Sequence, residues 1–582
     1  MVEGILRKTD DLIVRKYREL FVPTLLSLIA LYMGNILNGV IVGNLISLKA
    51  MTAIYASMPL NQIATAIAMM LSAGSAGMIA IAAGAQENDK ADRIFSSVLM
   101  MSFITAALTI IFLLPFTREL AAVLSAVEEL RDEMSIYLSI FIVRIALMIV
   151  ITVYRQLIKT EGLAKLVSRS SILQQFANVM LTFLFVGNFQ LGIAGAGTAL
   201  LISDLIGGFY MLINYGSNRD RTRRFINVFG DGLKPLFNQA VEILKTGLPA
   251  ATLGILVAIK VWAIYRILGT IGGADAMIYY SLCMTCLTIG VVLMTSCGEA
   301  SMPIVGMIYG EKDFGSVRRM MIYMQKFGFT MLGAFVLSIW IFPDIILNVY
   351  AVPDQLRGDA STALRIFSLS LLGTAFVGTM VYYYSMIRQR KIAAILSVVE
   401  GFAVVVPAAL ILSTVFGVNG VWFAFLAAGL TGSAVIFYYG RSKGNDIFLI
   451  ERRDPEVIYD VSFEVSEEKA TQVSSEAIEA LEAAGLSTVD ATRVGVALEE
   501  MTMNIETLSV LRTANVDVRI KLSADGRIII VVRDDGMPFN PLLYRSLDSE
   551  EPLMDEVEAL NALARDIKYN RVLGLNQTVI EI

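Results

Sequence analysis

Long apolar runs broken by short polar stretches set the pattern of the first three quarters of this chain. Runs long enough to cross a bilayer as helices lie near residues 20–45, 52–78, 95–116, 134–158, 168–187, 192–214, 244–268, 276–308, 320–342, 362–387, 392–415 and 419–440. The pattern then changes. "VIYDVSFEV" (457–465) alternates as a strand does, and 466–484 reads as an amphipathic helix ending near Gly485. "STVDATRVGVALEEMTMNIETL" reads as a second helix, with Ser487 or Thr488 as its N-cap. "NVDVRIKL" and "SADGRIIIVVRDDG" predict a hairpin turning at "ADG"; a helix over 552–564 and a closing strand "NQTVIEI" follow. The expected organisation is a segment 1–19, a first six-helix bundle 20–215, a linker 216–243, a second bundle 244–440, a linker 441–455 and an α/β domain 456–582.

Composition sharpens this division. The 582 residues are 56% hydrophobic and carry a net charge of −5. That sum hides two parts. Residues 451–582 hold 26 acids and 13 bases, whereas the first 450 residues are net basic. The bases sit in alternate connections, among them Lys90/Arg93, Arg155/Lys159/Lys165/Arg169, Arg219/Arg221/Arg223/Arg224, Arg318/Arg319 and Arg388/Arg390/Lys391. Basic loops mark the cytoplasmic side, so both termini are expected there, in a multi-pass plasma-membrane protein. The same placement makes the charge a matter of topology rather than of nucleic-acid binding. The absence of histidine excludes His-based triads, His-ligated zinc and a His proton shuttle. Cys283 and Cys286, in "CMTC", read as small hydrophobes in a membrane helix rather than as a redox pair.

The two halves repeat each other. "GSAGMIAIAAGAQENDKADRIF" (74–95) echoes "GEASMPIVGMIYGEKDFGSVRRMM" (298–321) at an offset of about 224 residues, on the same side of the membrane. Parallel repeats facing each other enclose a central cleft, the physical basis of alternating access. Charges inside the spans mark candidates for that cleft: Asp204, Glu299, Glu400, Lys260 and Arg144. Each costs about 2.5–3.5 kcal/mol at mid-membrane unless it faces water or a partner. The acids read as ion-coupling or cargo-binding groups, Glu299 foremost; Lys260 and Arg144 read first as pairing partners. A cleft with both signs of charge leaves anionic and zwitterionic cargo open beside cationic.

"NILNGVIVGNLISLKAMTAIYASMP", "FANVMLTFLFVGNFQLGIAGAGTALLIS", "GLPAATLGILVAIK", "PIVGMIYGEK" and "FGVNGVWFAFLAAG" together resemble the multidrug and toxic compound extrusion (MATE) transporters over residues 15–440. The resemblance implies about twelve helices in two bundles and export of small amphiphilic compounds against inward Na+ or H+. It also exposes departures. Aligned on Val42-Gly43, Asn38 stands where the family often has Asp. Asn178 and Thr182 stand in a pattern that elsewhere ends in an acid. Asn38, Asn178 and Thr182 offer neutral oxygens to Na+ but do not titrate.

In the tail, Glu500 and Asn504 lie four apart on one helix face, a spacing suited to Mg2+ at a nucleotide. With Asp534 and Gly536 in "VVRDDGMPFNP", they resemble the ATP-binding domains of histidine kinases and anti-sigma-factor kinases. That implies an α/β sandwich of the GHKL ATPase type with ATP and Mg2+ as ligands, Glu500 and Asn504 serving the metal and Asp534 and Gly536 the base. The Gly-x-Gly segment of that family is replaced by the acidic "SLDSEEPLMDEVEALN", which would repel a triphosphate. No P-loop is present, so a gradient rather than ATP is expected to move the cargo. Three functions compete: a cation-coupled exporter of small molecules whose tail regulates it through a cytoplasmic partner, a membrane-anchored ATP sensor or serine/threonine kinase, and a flippase for lipid-linked or polar metabolites. No catalytic residue is assigned, and the membrane lipid is the remaining partner.

Overall fold

The computed structural model describes residues 12–45, 57–124, 131–216, 233–349, 352–444, 446–448, 456–508, 514–523, 527–538, 540 and 563–582. The first half holds α1 (Leu12–Leu45), α2 (Met58–Gly84), α3 (Asn88–Leu113), α4 (Arg131–Thr160), α5 (Ala164–Asn188) and α6 (Gly192–Gly216). The second half holds α7 (Leu233–Ile271), α8 (Gly273–Gly310), α9 (Phe314–Ile341), α10 (Arg357–Met386), α11 (Arg390–Phe416) and α12 (Val418–Ser442). Eleven helices among the described residues are long and apolar enough to cross a membrane, with α1 a further long helix ahead of them. α1 begins at Leu12 and α7 at Leu233, so both reach further back than the apolar runs indicate. The basic cluster Arg219/Arg221/Arg223/Arg224 and the "ADG" turn lie outside the described residues, as do the acidic segment 546–561 and all but the end of the expected helix at 552–564.

Equivalent turns recur in the two halves. Gln86 and Lys312, each two residues beyond a glycine that ends a helix, both have positive φ (62° and 54°). The glycines before them set how closely the halves meet. A Cβ on Gly84 would stand 1.8 Å from the Met307 carbonyl oxygen; one on Gly310 would stand 2.0 Å from that of Ile81. The contact is reciprocal, as an interface around a two-fold axis must be. Met307 precedes Gly310 as Ile81 precedes Gly84, by three residues. Only glycine permits such backbone approach. A second glycine contact joins α2 to α7, where a Cβ on Gly247 would meet the Met70 carbonyl oxygen at 1.8 Å. The ends of α2 and α8 nearest the tail therefore form a backbone-to-backbone seal.

The tail has a five-stranded antiparallel sheet: β1 (Glu456–Glu464), β2 (Asn515–Leu522), β3 (Ile528–Asp534), β4 (Asp566–Val572) and β5 (Leu575–Glu581), in the order β1-β2-β3-β5-β4. The single closing strand expected from the sequence is the second arm of a hairpin, β4–β5. It turns at Leu573 and Gly574, both with positive φ. Helices α13 (Glu467–Ala483) and α14 (Thr488–Leu508) cover one face. Ser466 caps the first, and Ser487 the second by accepting from the Asp490 amide at 3.1 Å. Val516, Val518, Ile520, Ile530, Val532 and Ile580 form the core under these helices. The alternate residues of the same strands point at the membrane-spanning part.

Gly84→Val should hold the two halves apart at the seal. Spin labels at Lys90 and Arg318, one on each half, should report a longer mean distance by pulsed electron paramagnetic resonance than in the parent protein. An unchanged distance would show that the seal tolerates a side chain there.

Candidate functional site

A cavity of about 130 Å³ lies between the halves, bordered by α1, α2 and α4 on one side and by α8 and α10 on the other. Ala76 lines it one turn before Ala80, whose Cβ packs on Gly306, so the seal closes its tail side. Its charged walls are Arg155 and Lys159 from α4 and Glu299 from α8, with Gln156, Ser72 and Tyr382 beside them. Lys159 Nζ donates to Glu299 Oε2, an ion pair that crosses from one half to the other. Lys159 is buried, while the Glu299 side chain is 27% exposed toward the cavity. Arg155 donates to Gln174 Oε1 at 2.6 Å, and its Nε is buried without a partner.

Glu299 is thus at the cavity, as its position in the repeated segment suggested. Arg155 and Lys159 read in the sequence as loop charges marking topology. They stand instead on the last turns of α4, which runs on to Thr160. A periodic signal was available: Arg144, Arg155 and Lys159 fall three turns and then one turn apart, on one helix face.

The other described candidates of the membrane part lie away from the cavity wall. Asp204 is held by Arg144 Nε at 3.0 Å and by Gln174 Nε2, and Arg144 also donates to Asn61 Oδ1 at 3.0 Å. The polar chain Arg155–Gln174–Asp204–Arg144–Asn61 therefore runs through the first half and leaves Asp204 in a structural pair. Asn178 and Thr182 are buried on α5, 3.4 Å apart, just before a π-helical turn at Phe183–Asn188. The side chain of Asn38 lies outside the described residues. In the second half, Lys260 Nζ donates at 3.1 Å to the main-chain carbonyl of Glu400, not to its carboxylate, and sits 5.6 Å from the centre of the Phe425 ring. Glu400 lies in a second π-helical turn, Val399–Ala403, and its Oε2 is buried with no hydrogen-bond partner. Such wide turns break the regular ladder and occur often at functional positions. The three cysteines are free and buried.

In the tail, Asn504 is fully buried rather than on a solvated face. Its Nδ2 donates to the Glu500 carbonyl at 2.9 Å, and its Oδ1 has no partner. Asp534 accepts from the Gly536 amide at 2.9 Å and from Asn576 Nδ2 at 2.7 Å. Burial pushes its carboxyl up to about 7 against those two hydrogen bonds. Glu500 is half-buried. Among the described residues no group of three or more His, Cys, Asp or Glu is placed to hold a metal ion.

Two packed helical halves around an interface cavity with apolar and charged walls define the transporter class of membrane protein. The MatE family model matches residues 23–184 and 249–412, and the chain belongs to that family. It is similar to the multidrug export protein MepA of Staphylococcus haemolyticus, 24% identical over 69% of this chain and 87% of the relative. It is also similar to the probable multidrug resistance protein YoeA of Bacillus subtilis, 22% identical over 74% and 94%. Among solved structures, an outward-facing multidrug resistance MATE family transporter superposes with a TM-score of 0.68, at 21% identity over 73% of this chain and 95% of the other. A Pyrococcus furiosus transporter of the MOP superfamily, described as having a binding pocket of reversed polarity, gives 0.67 at 21% identity. The family model leaves residues 413–582 unmatched.

Removing one member of the Lys159–Glu299 pair should destabilise the protein by about 2 kcal/mol, below the cost for a fully buried pair because Glu299 is partly exposed. Glu299→Gln and Lys159→Met should each lower the thermal midpoint in detergent. The double variant should recover part of the loss; fully additive losses would show that the two side chains do not interact.

Proposed function

We propose that the chain is a secondary active exporter of small amphiphilic, drug-like compounds, working by alternating access in exchange for Na+ or H+. The observation that carries this reading is the interface cavity with one ion pair shared between the halves. Lys159 belongs to one half and Glu299 to the other, so separating the halves must break their bond. Protonation of Glu299, or a cargo charge that competes for either partner, would weaken it. An occupant's binding energy would then be linked to which side is open. Glu400, with an unpartnered buried oxygen at a π turn, is the candidate proton carrier of the second half. Asn178 and Thr182 supply neutral oxygens and suit Na+ better than H+. The cavity wall holds two cations and one acid, so the cargo class includes amphiphiles bearing a carboxylate or phosphate as well as cations. The names of the relatives, both multidrug proteins, support the drug-like reading. The basic loops support a cytoplasmic placement of the tail in the plasma membrane, where it acts as a regulatory domain.

Proteoliposomes carrying an imposed Na+ or pH gradient should drive uptake or release of fluorescent amphiphiles, and Glu299→Gln should cut the driven rate at least about tenfold. Absence of flux of cationic, anionic and zwitterionic probes under every gradient would end this reading.

A nucleotide at the tail is a second reading, favoured by the unpartnered Asn504 Oδ1 and by Asp534 in a buried, strand-end position. Asp534 would accept from an adenine amino group more strongly as the carboxylate than as the neutral acid. Because its folded value is raised to about 7, binding should strengthen as pH rises through 7 and fade below it. Calorimetric titration of the full-length protein with ATP and Mg2+ at pH 6 and pH 8 checks this. Asp534→Asn should abolish both the binding and its pH dependence.

A further inference from the structure

We infer that the tail is a clamp, its sheet gripping one loop from each half and holding the tail side of the transporter closed. The alternation of β2, "NVDVRIKL", suggests a strand with one face in water. Yet Asp517, Arg519 and Lys521 are 1%, 4% and 4% exposed. Their face, with Arg533 of β3, is pressed against the loop that follows α8. Arg533 is bonded to Asp517 at 2.7 Å within the sheet, and to Asp313 at 2.8 Å and Glu311 across the junction. Arg519 also pairs with Asp313. Lys521 reaches toward the Glu311 carbonyl at 3.4 Å, and Arg319 holds Asp460 at 3.1 Å. The four bases Arg319, Arg519, Lys521 and Arg533 meet the four acids Glu311, Asp313, Asp460 and Asp517. An interior cluster of charges persists only when so balanced.

The other arm grips the first half. Asn570 Nδ2 donates to the Ala83 carbonyl at 2.8 Å, and Gln577 Nε2 to that of Gly84 at 3.5 Å. Between them, the β4–β5 turn places Leu573 against Gly162 of the α4–α5 loop. Leu573 has φ 58°, a conformation that suits Asn or Gly and strains leucine. Its side chain is nevertheless 2% exposed, in the apolar cluster that contains Tyr17 and Met307. A strained residue persists when its surroundings over-determine it; here the surroundings are the transporter itself.

Both grips fall at the seal. Ala83 and Gly84 close α2, whose Gly84 meets Met307. Glu311 and Asp313 follow Gly310, which meets Ile81. The tail side cannot open without parting these two loops, and the sheet spans them. The clamp rests on the proposed alternating access only for the meaning of opening; its test does not use transport.

The test places a cysteine at Ala76, inside the seal, in the full-length protein in phosphatidylethanolamine–phosphatidylglycerol vesicles. A membrane-impermeant maleimide is applied from the tail side, and the parent with its buried native cysteines sets the background. Glu311→Gln with Asp313→Asn breaks one arm while keeping the cap of α9, because Asn caps as well as Asp. Asn570→Ala with Gln577→Ala breaks the other. Either should speed labelling about tenfold, and both together little more, since a bridge is lost once one end is free. The charge exchange Asp313→Arg with Arg519→Asp should label more slowly than either single change, which separates loss of the grip from an unfolded tail. Labelling at the parent rate in both arm variants would overturn the clamp. So would arm effects that simply multiply, or an exchange no slower than its single changes. A protein that moves no probe under any gradient yet shows this labelling pattern would lose the transport reading and keep the clamp.

Discussion

The close approach of two main chains at Gly84 and Gly310 is the constraint on which the rest of the structure hangs. Each of these helices meets the other's main chain at backbone distance because the residue facing the neighbouring carbonyl carries no Cβ, and each repeat supplies one such glycine at the end of a span. The cavity lies between the halves beside that point. The tail sheet sits as it does because the loops just beyond the glycines are brought side by side. Duplication gives the contact its reciprocity: the carbonyl that faces each glycine lies one turn earlier on the partner helix.

Charge in a low-dielectric interior organises what surrounds that contact. Each buried base described in the membrane part is answered by a carboxylate, an amide, a main-chain carbonyl or an aromatic face, as the cost of isolating an ion there demands. The answers differ in kind. Asp204 is held from two sides within one half and acts as architecture. Lys159 and Glu299 are held across the halves, so their bond depends on how the halves stand. Arg533 is held across the junction between tail and transporter. Of the three, only the last two join separately packed parts of the molecule.

Much of the fold was legible in the chain. The runs of span length announced the helices, the echo of 74–95 in 298–321 announced the halves, and "NVDVRIKL" with "SADGRIIIVVRDDG" announced paired strands. The site was legible in part. Glu299 stood out because carboxylates are rare inside spans. Arg155 and Lys159 did not, because basic residues near a span end are usually loop markers; their helical spacing from Arg144 gains meaning only once α4 is seen to run to Thr160. Asn504 was legible as one of a pair on a helix face, but not as a buried side chain bonded to the Glu500 carbonyl.

What the sequence alone determined follows from local chemistry: where the chain must avoid water, where it repeats, which residues turn it, and which carboxylates are out of place. What only the tertiary structure decided are the meetings between distant segments: Gly84 with Met307, Lys159 with Glu299, Arg533 with Asp313. Those contacts depend on the packing angles of whole helices and on the seat of the sheet. A one-dimensional pattern records which face of an element is polar; it carries no record of what that face will touch.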